Sequence, residues 1–427
     1  MIKKAVLHLD DKSYELPILT SNIGSQGIDI RGLKEKAGVV TVDPGFYNTA
    51  IGESSISVWN TNTGALNYRG YDVAELVKHS SFVETSYLLI YGKLPNKTEL
   101  TDFSTRLSKH SLIHEDMVNL FDGFPGKAHP LAILSVMVMS LSSYYTSEYE
   151  ESTSQGADQI TRLLAKIRTI SAYSYKQMIG QPFVFPQDKL PYCTNFLNML
   201  FSIPAEPYKV PEIYDSILNR LWILYAEHGF NLATTTVYLL GSAQANLFAS
   251  VSAGVSALWG SREGGHKVPA IEWIEDIIKN GGDYKSYLGK IKDGKLKVQT
   301  NVLGEPAYKV KSLRSILARE LFLEFFKTQN IDPIAEMALK IDEYTSSDPF
   351  FDKNNLYPNI DFYSSVIFNS MGIPQSMFTL MQAIGKLPGW LAHWREIWLN
   401  KNYTKARPKR LYKGEVDKKY TKLTDRV

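Results

Sequence analysis

Histidine is the side chain best fitted to proton transfer near neutral pH, and this chain has eight: His8, His79, His110, His114, His129, His228, His266 and His393. None lies between Lys267 and Ala392. His228 follows an apolar-periodic run over 213–227 and precedes Gly229, which places it at a helix C-terminus, where the dipole favours imidazolium and an anion can be held. A histidine that only stabilises the last carbonyls is the plainer account of the same position. Asp361 stands immediately before another apolar-periodic run, where a carboxylate serves as an N-cap. Arg314 and Arg407 each offer a guanidinium fork for a carboxylate, although single arginines more often make surface ion pairs. Glu263-Gly264-Gly265-His266 reads as a glycine turn between helices. Taken singly, none of these features is specific.

The elements that must position them are mostly helices. Residues 1–65 alternate apolar and polar side chains, with turn signals at Asn22, Gly24, Gly45, Asn60 and Gly64, and read as short strands and loops. Beyond them the period changes: 84–93, 98–109, 130–145, 157–178, 211–228, 243–259, 312–327, 332–344, 362–371 and 376–385 carry helical apolar spacing. Glycine, lysine and aspartate gather in 280–296, which reads as an exposed connection. The expected fold class is mainly α with a short β-rich N-terminal region.

Composition narrows the function. The chain has 427 residues, 44% apolar and 21% charged, enough for an extensive core. A net charge of +3 is small, and the basic run over 401–422 is interrupted by Glu415 and Asp417, so a solvated tail is expected and nucleic acid is not. One cysteine, Cys193, excludes an internal disulfide framework and a multi-thiolate zinc site. The cytoplasm is the default compartment. Between Glu227 and Arg262 there is no charged residue, yet Asn231, Thr234, Thr235, Ser242, Gln244 and Asn246 make that stretch too polar for lipid, and Gly241 divides it. Closely packed buried helices, with Ala249, Ser252, Ala253, Gly254 and Ser256 at a core or subunit contact, are expected there instead.

Order and spacing lift these features together. Val42-Asp43-Pro44-Gly45-Phe46, Tyr68-Arg69-Gly70-Tyr71, Ile179-Gly180-Gln181-Pro182-Phe183-Val184, Leu356-Tyr357-Pro358-Asn359-Ile360-Asp361-Phe362-Tyr363, Met371-Gly372-Ile373-Pro374, Gly389-Trp390-Leu391-Ala392-His393-Trp394 and Ala406-Arg407-Pro408 resemble the bacterial, hexameric type of citrate synthase from first strand to last helix. The resemblance implies a helical two-domain fold: a strand-rich segment 1–65, a large domain of 66–270 plus 378–427, and a small domain 271–377 that closes over substrates. It implies a homodimer that can assemble to a hexamer, and an acyl-CoA and an oxo acid as ligands, with coenzyme A as substrate rather than resident cofactor. It also implies roles: Asp361 as the base, and His228, Asn231, Arg314 and Arg407 in substrate binding. Lys386 and Lys418 fall where the family places two further arginines. Lys109, His110, Tyr145, Arg162 and Lys166 resemble parts of the NADH site of some members, but Ala205 stands where its cysteine belongs, which argues against NADH control.

The departures fall where the family's chemistry belongs. Glu263 stands at the position of one catalytic histidine, and Val302-Leu303-Gly304-Glu305-Pro306-Ala307-Tyr308-Lys309 at the stretch that supplies the second, so Glu305 takes its place. The family's additional histidine reads Tyr225. His266, three residues past Glu263, is the one residue able to replace the first by displacement. Glutamate, with a reference pKa of about 4.3 against about 6.5 for histidine, is normally an anion and opposes an enolate. Two anions about 4 Å apart repel by roughly 4 kcal/mol at an effective dielectric near 20. Three outcomes follow: a protonated glutamate donates in a condensation with a different acceptor; the acids and His228 hold a metal, the weakest of the three; or the glutamates pair with Lys386, Arg314 or Arg407 in a non-catalytic protein. Ordinary citrate synthesis with glutamate in place of histidine is the remaining alternative.

Overall fold

The computed structural model describes residues 3–145, 154–260, 263, 269–296, 302–305 and 307–426. It divides the chain into two units, residues 1–53 with 404–427, and residues 54–403.

In the first unit the N-terminal alternation becomes an antiparallel hairpin, Lys4–Leu9 with Lys12–Leu19, turning at Asp10 (φ +50°), and Gly27–Ile28 adds a third strand. The short helix Leu33–Ala37 ends at Gly38 in the left-handed conformation, as helix C-termini commonly do. Residues 404–426 are exposed throughout, as the charged composition of that run requires.

The second unit opens with a small antiparallel sheet of Ser57–Trp59, Leu66–Tyr68 and Tyr71–Asp72, and the rest is helical. The turn between its first two strands is an Asx turn: Asn60 Oδ1 accepts from Asn62 N at 2.9 Å and Thr63 N at 3.1 Å. Gly64 closes it with φ +74°, and a Cβ there would lie 2.4 Å from the Lys311 carbonyl oxygen, so only glycine lets the turn dock on that strand of chain.

The expected helices are present with shifted limits, among them Phe82–Tyr91, Lys97–Lys109, Pro130–Tyr144, Leu313–Phe325 and Pro333–Ser347. The uncharged stretch after Glu227 is two helices, Leu232–Ser242 and Leu247–Leu258, broken at Gln244 (φ +56°). A Cβ on Gly254 would sit 2.5 Å from Val237 Cγ2, so small residues do bring this pair into close approach. Among the described residues no helix is long and apolar enough to cross a membrane.

Two expectations need correction. The segment 280–296 is not a plain connection: Tyr284–Lys292 is a helix, capped by Asp283 and burying Leu288 and Ile291, whose apolar spacing the surrounding glycines and lysines obscured. The last long helix does not stop near residue 385 but runs Phe378–Leu399 through Pro388. Proline removes a donor and crowds the preceding turn. Here the next amide, Gly389 N, reaches outside the helix and donates to Ala226 O at 3.1 Å.

That detour is what brings the site elements together. A Cβ on Gly385 would lie 2.8 Å from Tyr225 Cβ, and one on Gly389 would lie 2.4 Å from Ala226 O and 2.3 Å from Glu227 Oε2. Glycine one turn apart thus lets the end of the helix Glu212–Tyr225 press against Phe378–Leu399. Trp222 Nε1 locks the contact by donating to Met381 O at 3.0 Å.

Candidate active site

Four stretches of the second unit converge: the C-terminal end of Glu212–Tyr225, the start of Leu313–Phe325, the start of Ile360–Ser370 and the middle of Phe378–Leu399. Asp361 lies in the first turn of the third. It is not the N-cap; Asn359 is, its Oδ1 accepting from the amides of Asp361 and Phe362 at 3.1 Å each. The amide side chain supplies the cap and leaves the carboxylate of Asp361 to project from the helix. Its Oδ1 accepts two bonds, from Tyr225 Oη at 2.7 Å and Gln382 Nε2 at 2.9 Å. Among the described residues Oδ2 has no hydrogen-bond partner. Tyr225 Oη also lies 2.7 Å from Ser364 Oγ. Burial first, then the charge of Asp361, holds the phenol well above its ordinary pKa, so it is a permanent proton donor.

His228 departs from the sequence expectation. It sits two residues past the C-cap Ala226, half-buried, and burial, then Arg314 and Lys386, push it well below the usual histidine value. Desolvation and two cations overcome the helix dipole, and the imidazole is neutral at pH 7. Its ring stacks on Trp59 (5.5 Å between centroids) and on Tyr308 (5.7 Å), and Nε2 lies 2.7 Å from Tyr308 Oη. Burial pushes Tyr308 up to about 12, so its hydroxyl keeps its proton.

Glu305 and Arg314 face each other. Arg314 Nη2 is 3.6 Å from Glu305 Oε1, each side chain 11% exposed, and Ser315 Oγ donates to the same carboxylate oxygen at 3.2 Å. Burial, the largest influence, works to lower the guanidinium, but Glu305, Tyr308, Tyr68 and Asp361 together outweigh it and raise its pKa. Glu305 is presented by a pinned stretch. Gly304 (φ +82°) donates from N to Tyr357 O at 2.6 Å and accepts at O from Asn359 Nδ2 at 3.2 Å, while Lys309 N donates to Thr61 O and Leu313 N to Gly64 O, both at 2.9 Å.

Lys386, one turn past Gln382, lies 5.9 Å from the Tyr225 ring centroid. Burial, then Arg314, lowers its pKa, against the opposing charges of Asp361, Glu263 and Glu227. Glu263 is half-buried, its amide donating to Gly260 O at 2.9 Å. Asn231 caps the helix Leu232–Ser242, its Oδ1 accepting from Thr234 N at 2.8 Å, so that oxygen is already engaged. Arg407 and Lys418 belong to the first unit, where Lys418 pairs with Glu415 at 2.6 Å. His266 lies outside the described residues. No cluster of three or more His, Cys, Asp or Glu suited to a metal occurs among the described residues.

Beneath the site, Glu227 Oε1 accepts from Gly229 N at 2.5 Å and Ser57 Oγ at 3.1 Å and lies 3.2 Å from His393 Nε2. Sequence reasoning missed Glu227, His393, Tyr308, Trp59 and Gln382. Only Gln382 had a readable signal, its i, i+4 relation to Lys386. Away from the site, Arg162 lies over the Tyr145 ring at 4.8 Å, Lys166 at 5.8 Å from the same centroid donates to His110 O, and His110 is 3.7 Å from Asp158.

The second unit is thus a mainly helical fold that gathers a carboxylate, Asp361, an imidazole, His228, and a guanidinium, Arg314, at the ends of its helices. Residues 45–409 match the family model described as citrate synthase, C-terminal domain, and the chain belongs to the citrate synthase family. It is 39% identical over 425 residues to citrate synthase 1 of Mycobacterium tuberculosis, covering 99% of this chain and 98% of that protein. It is 37% identical to the citrate synthase of Corynebacterium glutamicum, covering 99% and 97%. Among solved structures, citrate synthase from Pyrobaculum aerophilum superposes with a TM-score of 0.75 at 28% identity, covering 96% of this chain and 97% of that one. The Thermoplasma acidophilum enzyme, solved as a ternary complex with carboxymethyl coenzyme A and oxaloacetate, superposes at 0.79 with 23% identity over 90% and 100%, and shares the mainly α fold.

Proposed function

We propose that this protein is a Claisen-type condensing enzyme of the citrate synthase family, joining an acyl-CoA to an oxo acid with an altered substrate or mechanism. The observation that carries this reading is the hold on Asp361: Tyr225 and Gln382 fix Oδ1 at 2.7 and 2.9 Å and leave Oδ2 to take a proton. In the reaction, Asp361 removes a proton from the carbon next to the thioester carbonyl. The electron pair released forms a carbon–carbon bond to the oxo carbon, whose oxygen gains a proton, and hydrolysis of the thioester frees coenzyme A. In this reading Glu263 and Glu305 stand at the positions of the family's two histidines, with His228, Arg314 and Lys386 around the acceptor. The family resemblance assigns carboxylate-binding roles to Arg407 and Lys418 as well. The working unit is a homodimer, with hexamer assembly open to it and residues 271–377 as a closing small domain.

A second reading, a non-catalytic member of the family, is favoured by the Glu305–Arg314 pair at 3.6 Å, which neutralises the site from within. Release of free thiol from acyl-CoAs and oxo acids, beginning with acetyl-CoA and oxaloacetate, separates the readings. Turnover that Asp361→Ala abolishes supports the enzyme. Rates of about 1 to 1,000 per second with acetyl-CoA and oxaloacetate establish ordinary citrate synthesis. No turnover with any pair at high protein concentration supports the non-catalytic reading.

A further inference from the structure

The Glu305–Arg314 pair bears on which acceptor the site can recognise. Arg314 is 9% exposed, and its Nε has no hydrogen-bond partner among the described residues; the same holds for Glu305 Oε2. A buried guanidinium donor and a buried carboxylate acceptor left unpaired side by side are costly unless a ligand satisfies them. Arg314 therefore has one face committed to Glu305 and one donor still open.

The surrounding charges point the same way. His228 faces Tyr308 and Trp59 as a neutral ring and adds no positive charge. Lys386 is the other cation, and Asp361 and Glu263 both act on it. In this part of the second unit the acids Glu305, Asp361 and Glu263 outnumber the cations Arg314 and Lys386, so a second carboxylate on the acceptor meets a surplus of like charge. We infer that Glu305 is a specificity-determining residue that occupies Arg314 in place of a substrate carboxylate, so that the acceptor is a 2-oxo monocarboxylic acid rather than a dicarboxylic one. This rests on the proposed acceptor site but not on catalysis, because it concerns binding.

The test is equilibrium binding of pyruvate, glyoxylate and oxaloacetate to the full-length protein, followed by calorimetry and by ligand-induced change in melting temperature. The wild type is expected to bind a monocarboxylate at least tenfold more tightly than oxaloacetate. Glu305→Gln, which removes the charge, is expected to move that ratio at least tenfold toward oxaloacetate, about 1.4 kcal/mol, while Glu305→Asp keeps the wild-type order. Tighter binding of oxaloacetate by the wild type, binding of none of the three acids, or equal weakening of all by Glu305→Gln would overturn the inference. Where Glu305→Gln does not fold, the wild-type order decides. Loss of thiol release alone leaves the binding order unchanged and counts against the condensing reading only.

Discussion

Tyr225 donates its hydroxyl proton to Asp361 Oδ1 across 2.7 Å, tying the last residue of one helix to the first turn of another. The bond joins elements 136 residues apart in sequence and gives the carboxylate a defined orientation. Among the described residues, Tyr225→Phe leaves Gln382 as the only donor to Oδ1. Activity in the thiol-release assay is expected to fall at least tenfold in kcat with little change in KM for the acyl-CoA. Stability is expected to fall by about 1 kcal/mol in urea denaturation, the ordinary net value of one buried hydrogen bond.

The neutral state of His228 sets a pH dependence. Its folded pKa is depressed well below 6.5, so between those two values the unfolded chain binds a proton that the folded chain does not. Stability is therefore fully present above about pH 6.5 and declines as pH falls below it. The groups facing the ring are Tyr308, Trp59, Arg314 and Lys386. His110 is also depressed, by burial and by Arg162, and contributes in the same direction. Melting temperature measured from pH 7.5 to 5 should fall less steeply in His228→Gln than in wild type; an unchanged slope would contradict the neutral assignment.

Gly389→Ala should be among the most damaging small substitutions in the chain. The added methyl would lie 2.4 Å from a backbone oxygen and 2.3 Å from a buried carboxylate oxygen, and neither can yield easily. A loss of about 3 kcal/mol, or failure to fold, is expected from overpacking of this kind. Gly126→Ala, with nothing within 4 Å, is the matched control and should be nearly neutral in the same denaturation experiment.

Glu227 and His393, 1% and 2% exposed in their side chains, form a buried pair under the His228 turn. Glu227→Ala strands the Gly229 amide and Ser57, which donate to its Oε1, and removes the carboxylate beside His393. Leaving a buried donor without its acceptor costs about 1 to 3 kcal/mol, and chemical denaturation is expected to read a loss in that range or above it. A loss below 1 kcal/mol would mean that water replaces the carboxylate.

The sequence made the helices legible wherever apolar spacing was unopposed, as in Pro130–Tyr144 and Leu313–Phe325. It hid Phe378–Leu399 because Pro388 and two glycines are ordinarily stop signals, and the acceptor that rescues Gly389 N comes from Ala226, far away in sequence. Asp361 was placed correctly at a helix start but one role was misassigned, since Asp and Asn both cap and only coordinates separate Asn359 from Asp361. For the site, resemblance supplied Asp361, His228 and Arg314, which lie in one unit, and proposed Glu305 as their neighbour. The charge state of His228 and the partner of Arg314 were not legible, because both depend on burial and on contacts between segments with no fixed sequence separation.

The stretch bearing Glu305 is fastened through main-chain groups: Gly304 to Tyr357 and Asn359, Lys309 to Thr61, and Leu313 to Gly64. None of those bonds uses the side chain of residue 305. Position 305 is thus a socket whose geometry is independent of what fills it, and evolution can exchange the reactive group there without rebuilding the scaffold that aims it.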